Sequence, residues 1–208
     1  LLFKEQITPA RADRGMFLLA PFLAAVPAFL TFLMVPWGRP FTAGGRTVAV
    51  QGADLDIGVL FLLAMSSLAV YAVVLAGWAS GSKYPLLGGV RATAPAISYE
   101  AALGLAMVAV VLYSAGADPV GGTLSLAEIV ERQRGTWLGF IPRWNLLPQL
   151  GAFVVFAVAA VAETNRAPFD LVEAEQELVG GFNTEYSGFR FAVFFLAEYI
   201  NLFTMSAI

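Results

Sequence analysis

Acidic side chains are concentrated in one stretch of the chain, residues 163–198, where seven carboxylates stand against two arginines. Interacting carboxylates can pass protons with shared, macroscopic pKa values. The two outermost members lie on flanking apolar runs, and a further glutamate lies inside another apolar run, where an ionised side chain normally faces a protein interior or a water path. We therefore predict a proton path along the carboxylates Glu100, Glu163, Asp170, Glu173, Glu175, Glu177, Glu185 and Glu198. The alternatives are a solvated acidic loop for the members between the runs and a snorkelling interfacial side chain for Glu100.

The middle of this stretch has the signals of a short helix. Asp170 follows a Pro-Phe pair as a helix N-cap would, and Glu173 stands at the capping-box position. Two consecutive glycines at 180 and 181 end the pattern. On such a helix Glu173 and Glu177 share a face and repel each other, which next to a membrane raises some of their pKa values.

The chain contains no cysteine and no histidine. Disulfides, thiolate nucleophiles, the usual zinc sites, iron–sulfur ligation and ordinary haem ligation are therefore excluded for this sequence. If the protein takes part in redox chemistry, partners must supply the redox centres.

These carboxylates are positioned by long apolar runs. Each run is long enough to cross a hydrocarbon core of about 30 Å, which takes about 20 residues. The composition agrees, because 59% of the 208 residues are apolar and 13% are charged, about half the charged fraction of a soluble domain. The predicted fold class is an all-α polytopic membrane protein with about five transmembrane helices. The predicted spans are residues 15–35, 57–80, 96–116, 146–163 and 189–208.

The connections between the spans are predicted to differ in kind. The first, residues 37–56, contains an alternating run that favours a small hairpin, and residues 126–133 have the pattern of a short amphipathic helix. Residues 81–95 are expected to be a short loop in which Gly88 and Gly89 are ordinary loop glycines.

One transmembrane domain is predicted over residues 1–208, with an amphipathic segment at 1–14 and an acidic loop at 165–188. Lysines and arginines number seven on the side of these two segments and five on the other, so both are predicted to be cytoplasmic. The formal net charge of −3 gives no basic surface for nucleic acid. Because the chain begins at Leu1 and ends inside an apolar run, we expect it to be a piece of a longer polypeptide.

Four blocks of the sequence resemble one known family, the quinone-site membrane subunit (subunit 1, or the H subunit) of proton-pumping NADH:quinone oxidoreductase, respiratory complex I. They are KEQITPARADRGMFLLAP at 4–21, SSLAVYAVVLAGWASGSKYPLLGGVRATAPAISYE at 66–100, AETNRAPFDLVEAEQELVGGFNTEYSGF at 162–189 and AVFFLAEYINLF at 192–203. The third block is the hallmark loop of that family. Pro95 departs from the family pattern, which usually has Gln before ISYE; we expect this proline to lie in the first turn of a helix, where proline is tolerated.

The resemblance implies an eight-helix subunit, of which this piece would be the second to the sixth helix. Quinone is the implied substrate, no cofactor is bound covalently, and iron–sulfur clusters and flavin belong to partner subunits only. The implied partners are the other membrane and peripheral subunits, quinone and the lipid bilayer. The implied location is a bacterial or mitochondrial inner membrane, with the bacterial one favoured.

The resemblance also implies roles for individual residues. The glutamates of the acidic stretch match positions thought to link the quinone chamber to the proton-pumping subunits, and Glu100 matches the glutamate of ISYE. Positions near the quinone path are matched by Arg14, Arg91, Arg166 and Phe169. For Arg14 and Arg91, the residues alone favour anchoring at the membrane surface over a place in a polar pocket.

Two other functions fit the same residues. The chain could be the equivalent subunit of a membrane-bound hydrogenase-type complex, although the full match through NRAPFDLVEAEQELVGGF favours complex I. It could also be an autonomous proton-coupled transporter, which would be expected to show internal pseudo-repeats that the sequence lacks.

Overall fold

The computed structural model describes residues 3–117, 121–137, 139–169 and 180–208. Helices dominate these residues, and two small hairpins lie between them. The elements are α1 (Arg14–Met34), β1 (Gly38–Ala43), β2 (Arg46–Val50), α2 (Gly58–Ala79), α3 (Lys83–Ala117), α4 (Leu126–Arg132), β3 (Thr136–Trp137), β4 (Ile141–Pro142), α5 (Leu150–Glu163), a 3-10 turn (Gly181–Asn183) and α6 (Gly188–Ala207).

Four helices, α1, α2, α3 and α6, are long and apolar enough to cross a membrane. Their outward surfaces carry large apolar side chains such as Leu105, Leu112 and Phe203, which are well over half exposed in the isolated chain. Such a surface suits contact with lipid and not with water. The predicted polytopic helical membrane fold is confirmed.

The fifth predicted span is shorter than expected, because α5 has only 14 residues. Residues 146–149 form turns ahead of it, and Pro148 disfavours helical geometry in the preceding residue. Gln149, the N-cap residue, donates from Nε2 to the Ala109 carbonyl of α3 at 2.7 Å, which fastens the start of α5 to its neighbour.

The predicted loop at 81–95 is wrong, since α3 is helical from Lys83 onward. Gly88 and Gly89 are therefore helical residues at close backbone contacts and not loop glycines. A Cβ on Gly77 of α2 would lie 2.4 Å from the Pro85 carbonyl oxygen and 3.4 Å from the Gly89 Cα. Pro95 also lies inside α3 and not in a first turn as predicted.

The hairpin and the amphipathic helix were predicted correctly. Strands β1 and β2 pair antiparallel through the Gly44–Gly45 turn, both glycines having positive φ. Helix α4 is N-capped by Ser125, whose hydroxyl accepts from the Glu128 amide at 3.3 Å. Residues 3–13 form turns and extended backbone.

Two apolar clusters hold the helices together. The first joins α1, α2 and α6 with the 182–186 turn and with Ala92 of α3, around Phe17, Phe194 and Tyr186. The second joins α2, α3, α4 and α5 with Met34 of α1, around Leu62, Leu103 and Met107. Helix α2 packs against both α1 and α3, so it lies between them.

Candidate functional site

Glu163 is placed by the way in which helix α5 ends. Asn165 adopts a left-handed conformation (φ 51°), its amide donates to the Ala162 carbonyl and the Arg166 amide donates to the Val161 carbonyl, both at 3.2 Å. This is a Schellman motif, and asparagine is one of the few residues other than glycine that favour its left-handed position. The motif fixes Glu163 in the last turn. A carboxylate there meets the negative end of the helix dipole, so helix stability does not explain its presence.

A serine of the central helix holds this carboxylate. The buried Ser66 hydroxyl of α2 donates to Glu163 Oε1 at 2.6 Å. The other oxygen, Glu163 Oε2, is buried and has no hydrogen-bond partner among the described residues.

The next residue of α2 holds the second predicted carboxylate. The Ser67 hydroxyl is hydrogen-bonded to Glu100 Oε1 of α3 and lies 3.1 Å from the Leu63 carbonyl oxygen of its own helix. Glu100 and Glu163 are close enough to repel each other when both are ionised. Three helices thus bring two carboxylates of distant sequence position to one place.

Glu163 and Glu198 line one small cavity, of about 110 Å³, bounded by α1, α2, α3, α6, the end of α5 and the two turns at 164–165 and 182–183. Its other polar lining comes from uncharged side chains, Thr93, Thr164, Asn165, Asn183 and Asn201. A water molecule occupies about 30 Å³ of liquid and needs two to four polar partners, so this cavity suits a few waters.

Arg166 lies beside Glu198, at 3.9 Å from guanidinium nitrogen to carboxylate oxygen. Its guanidinium carbon also lies 5.2 Å above the centre of the Tyr199 ring. Both side chains of the ion pair remain partly exposed, so the pair holds Glu198 at the edge of the helix assembly and contributes little stability.

The structure places the remaining predicted residues elsewhere. Glu185 is half-buried in the turn before α6 and is not among the residues that line the cavity. Arg14 is exposed at the start of α1, Arg91 is half-buried on α3, and Phe169 packs edge-on against Tyr99 with ring centres 5.3 Å apart. Four carboxylates of the predicted path lie outside the described residues: Asp170, Glu173, Glu175 and Glu177.

An aromatic cluster packs beside the cavity. Tyr186 stacks on Phe17 of α1, with ring centres 4.0 Å apart and planes 9° apart, and Phe194 packs edge-on against Tyr186. Burial raises the pKa of the Tyr186 phenol above its usual value, although the charge of Arg190 opposes this effect. The phenol is therefore neutral over the physiological pH range.

Sequence reasoning missed the two serines and the cavity's amides. Serine in an apolar helix commonly bonds back to the carbonyls of its own helix, so a pair at 66–67 gives no indication of which partner it reaches.

Within the described residues no group of three or more acidic, histidine or cysteine side chains could hold a metal ion.

The chain also matches known proteins along its whole length. The family model for NADH dehydrogenase matches residues 1–208. The chain belongs to the NADH dehydrogenase family. The family resemblance stated from the sequence blocks is thereby confirmed.

Among relatives, the chain is 51% identical over 209 residues to the H subunit of NADH-quinone oxidoreductase from Frankia alni and 51% identical to that from Frankia casuarinae. It is 49% identical over 208 residues to an H subunit of the same enzyme, numbered 1, from Geobacter metallireducens. Each match covers 100% of this chain, but 43% of the two Frankia proteins and 59% of the Geobacter protein. The chain thus spans about half the length of the curated relatives it matches.

Proposed function

We propose that this chain is part of the membrane-embedded H subunit of an NADH–quinone oxidoreductase, and that it links quinone reduction to proton translocation through its carboxylates. The observation that carries the proposal is that Glu163 shares a cavity with Glu198 and is joined to Glu100 through two adjacent serines of α2. The names of the relatives support the same assignment.

The role of the chain in this reaction is to move protons and not electrons. Partner subunits would supply the flavin and the iron–sulfur clusters that reduce the quinone, because this sequence has no cysteine or histidine to ligate a metal centre. Charge that appears on the reduced quinone would change the proton affinity of the acidic segment at 165–188. Proton uptake there would pass to Glu163 and Glu198 across the cavity and to Glu100 through α2.

The quinone chamber is proposed to lie on the side of the acidic segment, next to Arg166 and Phe169. Arg166 already contacts Glu198, so a change of charge near this arginine would act directly on a carboxylate of the cavity. Arg14, Arg91 and the acidic residues Asp170, Glu173, Glu175, Glu177 and Glu185 complete the proposed chamber and path.

The proposal is tested with Glu163→Gln in the complete complex, in inner-membrane vesicles of a bacterial host. Glutamine keeps the shape and can still accept from Ser66, but it cannot take up a proton. We expect NADH:quinone reduction and proton pumping to fall together by about tenfold or more, as removal of a proton-transfer group costs about 10²–10⁴ where transfer limits the rate.

The matched control is Glu131→Gln on α4, an exposed carboxylate that is paired with Arg134 and is not among the residues that line the cavity. It should leave both activities unchanged. Full activity of a well-assembled Glu163→Gln complex would overturn the proposal.

A further inference from the structure

Two consecutive serines of α2 contact two different carboxylates. Consecutive residues of a helix project about 100° apart, so Ser66 and Ser67 face different neighbours. Ser66 reaches Glu163 of α5, and Ser67 reaches Glu100 of α3. The rest of α2 is almost wholly apolar, and these are its only hydroxyls apart from Tyr71.

We propose that Ser66 and Ser67 are positioning residues that hold Glu163 and Glu100 as neighbouring stations of one proton path, with Ser67 able to satisfy Glu100 in both of its protonation states. The proposal rests on the function proposed above and adds α2 as the element that joins the two carboxylates.

Ser67 has one hydroxyl proton and two acceptors within reach, Glu100 Oε1 and the Leu63 carbonyl. When Glu100 is ionised, the Ser67 hydroxyl donates to it. When Glu100 is protonated, its carboxyl O–H donates to Ser67 Oγ, and the Ser67 hydroxyl turns to donate to the Leu63 carbonyl. Every donor is satisfied in both states, and only a hydroxyl rotation separates them.

Ser66 holds its carboxylate differently. It fixes Glu163 Oε1 at 2.6 Å, while Oε2 of the same carboxylate has no partner among the described residues. A buried oxygen without a protein partner is the place for a proton or a bound water. Glu163 is thereby oriented through one oxygen and takes up its proton at the other, on the cavity that it shares with Glu198.

Few of the described residues that line the cavity beside Glu163 carry a charge. Glu163 and Glu100 act on each other, and Glu198 of α6 is the other titratable side chain among the described residues that line the cavity, with Arg166 beside it. The described cavity residues of α1 and α2 are apolar. Loss of a serine hydroxyl therefore acts mainly on the carboxylate that it contacts.

The experiment compares Ser67→Thr with Ser67→Val in the intact complex in membrane vesicles. Threonine and valine have nearly the same shape, and only threonine keeps the hydroxyl and its reach to the carbonyl of the preceding turn. We expect Ser67→Val to move the pH midpoint of coupled proton uptake upward by about one unit, because an ionised carboxylate loses a charge-assisted donor. Ser67→Thr should retain the parental midpoint.

Two further variants serve as controls for this comparison. Ser67→Ala removes the hydroxyl without added bulk and should shift the midpoint in the same direction as valine. Ser114→Ala removes a buried serine of α3 that bonds back to the Val111 carbonyl, and it should leave the midpoint unchanged.

Equal midpoints for Ser67→Val, Ser67→Ala and Ser67→Thr would overturn the role of the serine. If Glu163→Gln still lowered pumping by about tenfold or more in that case, the proposed function would stand without the serine pair. Full pumping by Glu163→Gln would instead overturn the proposed function itself.

Discussion

Gly88 allows α3 to touch the backbone of the turn that precedes α6, and Gly88→Ala should separate the two. A Cβ at this position would lie 2.7 Å from the carbonyl carbon of Gly181, 2.8 Å from the amide nitrogen of Phe182 and 2.9 Å from the Gly181 Cα. These are backbone atoms, which cannot turn away as a side chain can. Phe182 and Asn183 line the cavity, so the same shift would move its wall.

The cost follows from two opposing effects. Overpacking costs about 1–3 kcal/mol, and because the atoms met here are backbone atoms the cost lies in the upper part of that range, about 2–3 kcal/mol. Alanine in a helix is better than glycine by about 0.8–1.0 kcal/mol, which offsets part of that cost. A net loss of about 1–2 kcal/mol remains, and it increases the population in which the turn has come away from α3 by about 5–30-fold.

Hydrogen–deuterium exchange of the peptide that covers residues 180–187, measured in the assembled complex, reports this opening directly. The amide of Tyr186, which donates to the Asn183 carbonyl at 2.9 Å, should exchange about 5–30-fold faster in Gly88→Ala. Gly104→Ala is the matched control on the same helix, because its Cβ would meet only Leu63 methyl groups at 3.8 and 3.9 Å. Equal exchange in Gly88→Ala and Gly104→Ala would refute the close contact.

Two pH-dependent predictions follow from groups outside the spanning helices. Hydrogen bonds from Thr123, at 2.5 Å, and then from Arg132 lower the pKa of Glu128. The stabilisation that these bonds give to the folded state is present above the usual pKa of glutamate and is lost as the pH falls through the lowered pKa. Protease cleavage near α4 should therefore rise only in acid, and it should rise at a higher pH in Thr123→Val than in the parent. Burial raises the pKa of Tyr186, so its contribution to stability is complete below pH ~10 and is lost above it; the alkaline fall in thermal stability should be smaller in Tyr186→Phe, and an unchanged fall would contradict the burial argument.

The helices α1, α2 and α6 could be predicted within a few residues, because each is a long apolar run between polar or glycine-containing segments. The start of α3 could not. Its sequence contains Pro85, Gly88, Gly89 and Pro95, residues that locally favour a loop, and the helix forms there because the glycines allow close packing against α2 and the 181–182 turn. Tertiary contacts determine whether such a segment is helical, and these contacts cannot be inferred from the sequence of the segment alone.

The carboxylates of the candidate site could be singled out from the sequence for a different reason. A glutamate in an apolar run is costly in a membrane, so Glu100, Glu163 and Glu198 are conspicuous without a structure. Their partners are not, because a hydroxyl such as Ser67 has a local carbonyl acceptor in any helix. Only the packing of the helices shows that Ser66 and Ser67 also reach the two carboxylates.

In the proposed function, Glu163 changes its protonation when quinone is reduced. Infrared difference spectroscopy of the intact complex, recorded before and after quinone reduction, detects this as a change in a carboxylic acid C=O band. We expect a band that is present in the parent and in Glu131→Gln and is absent in Glu163→Gln. An identical difference spectrum in Glu163→Gln, with quinone reduced to the same extent, would contradict it.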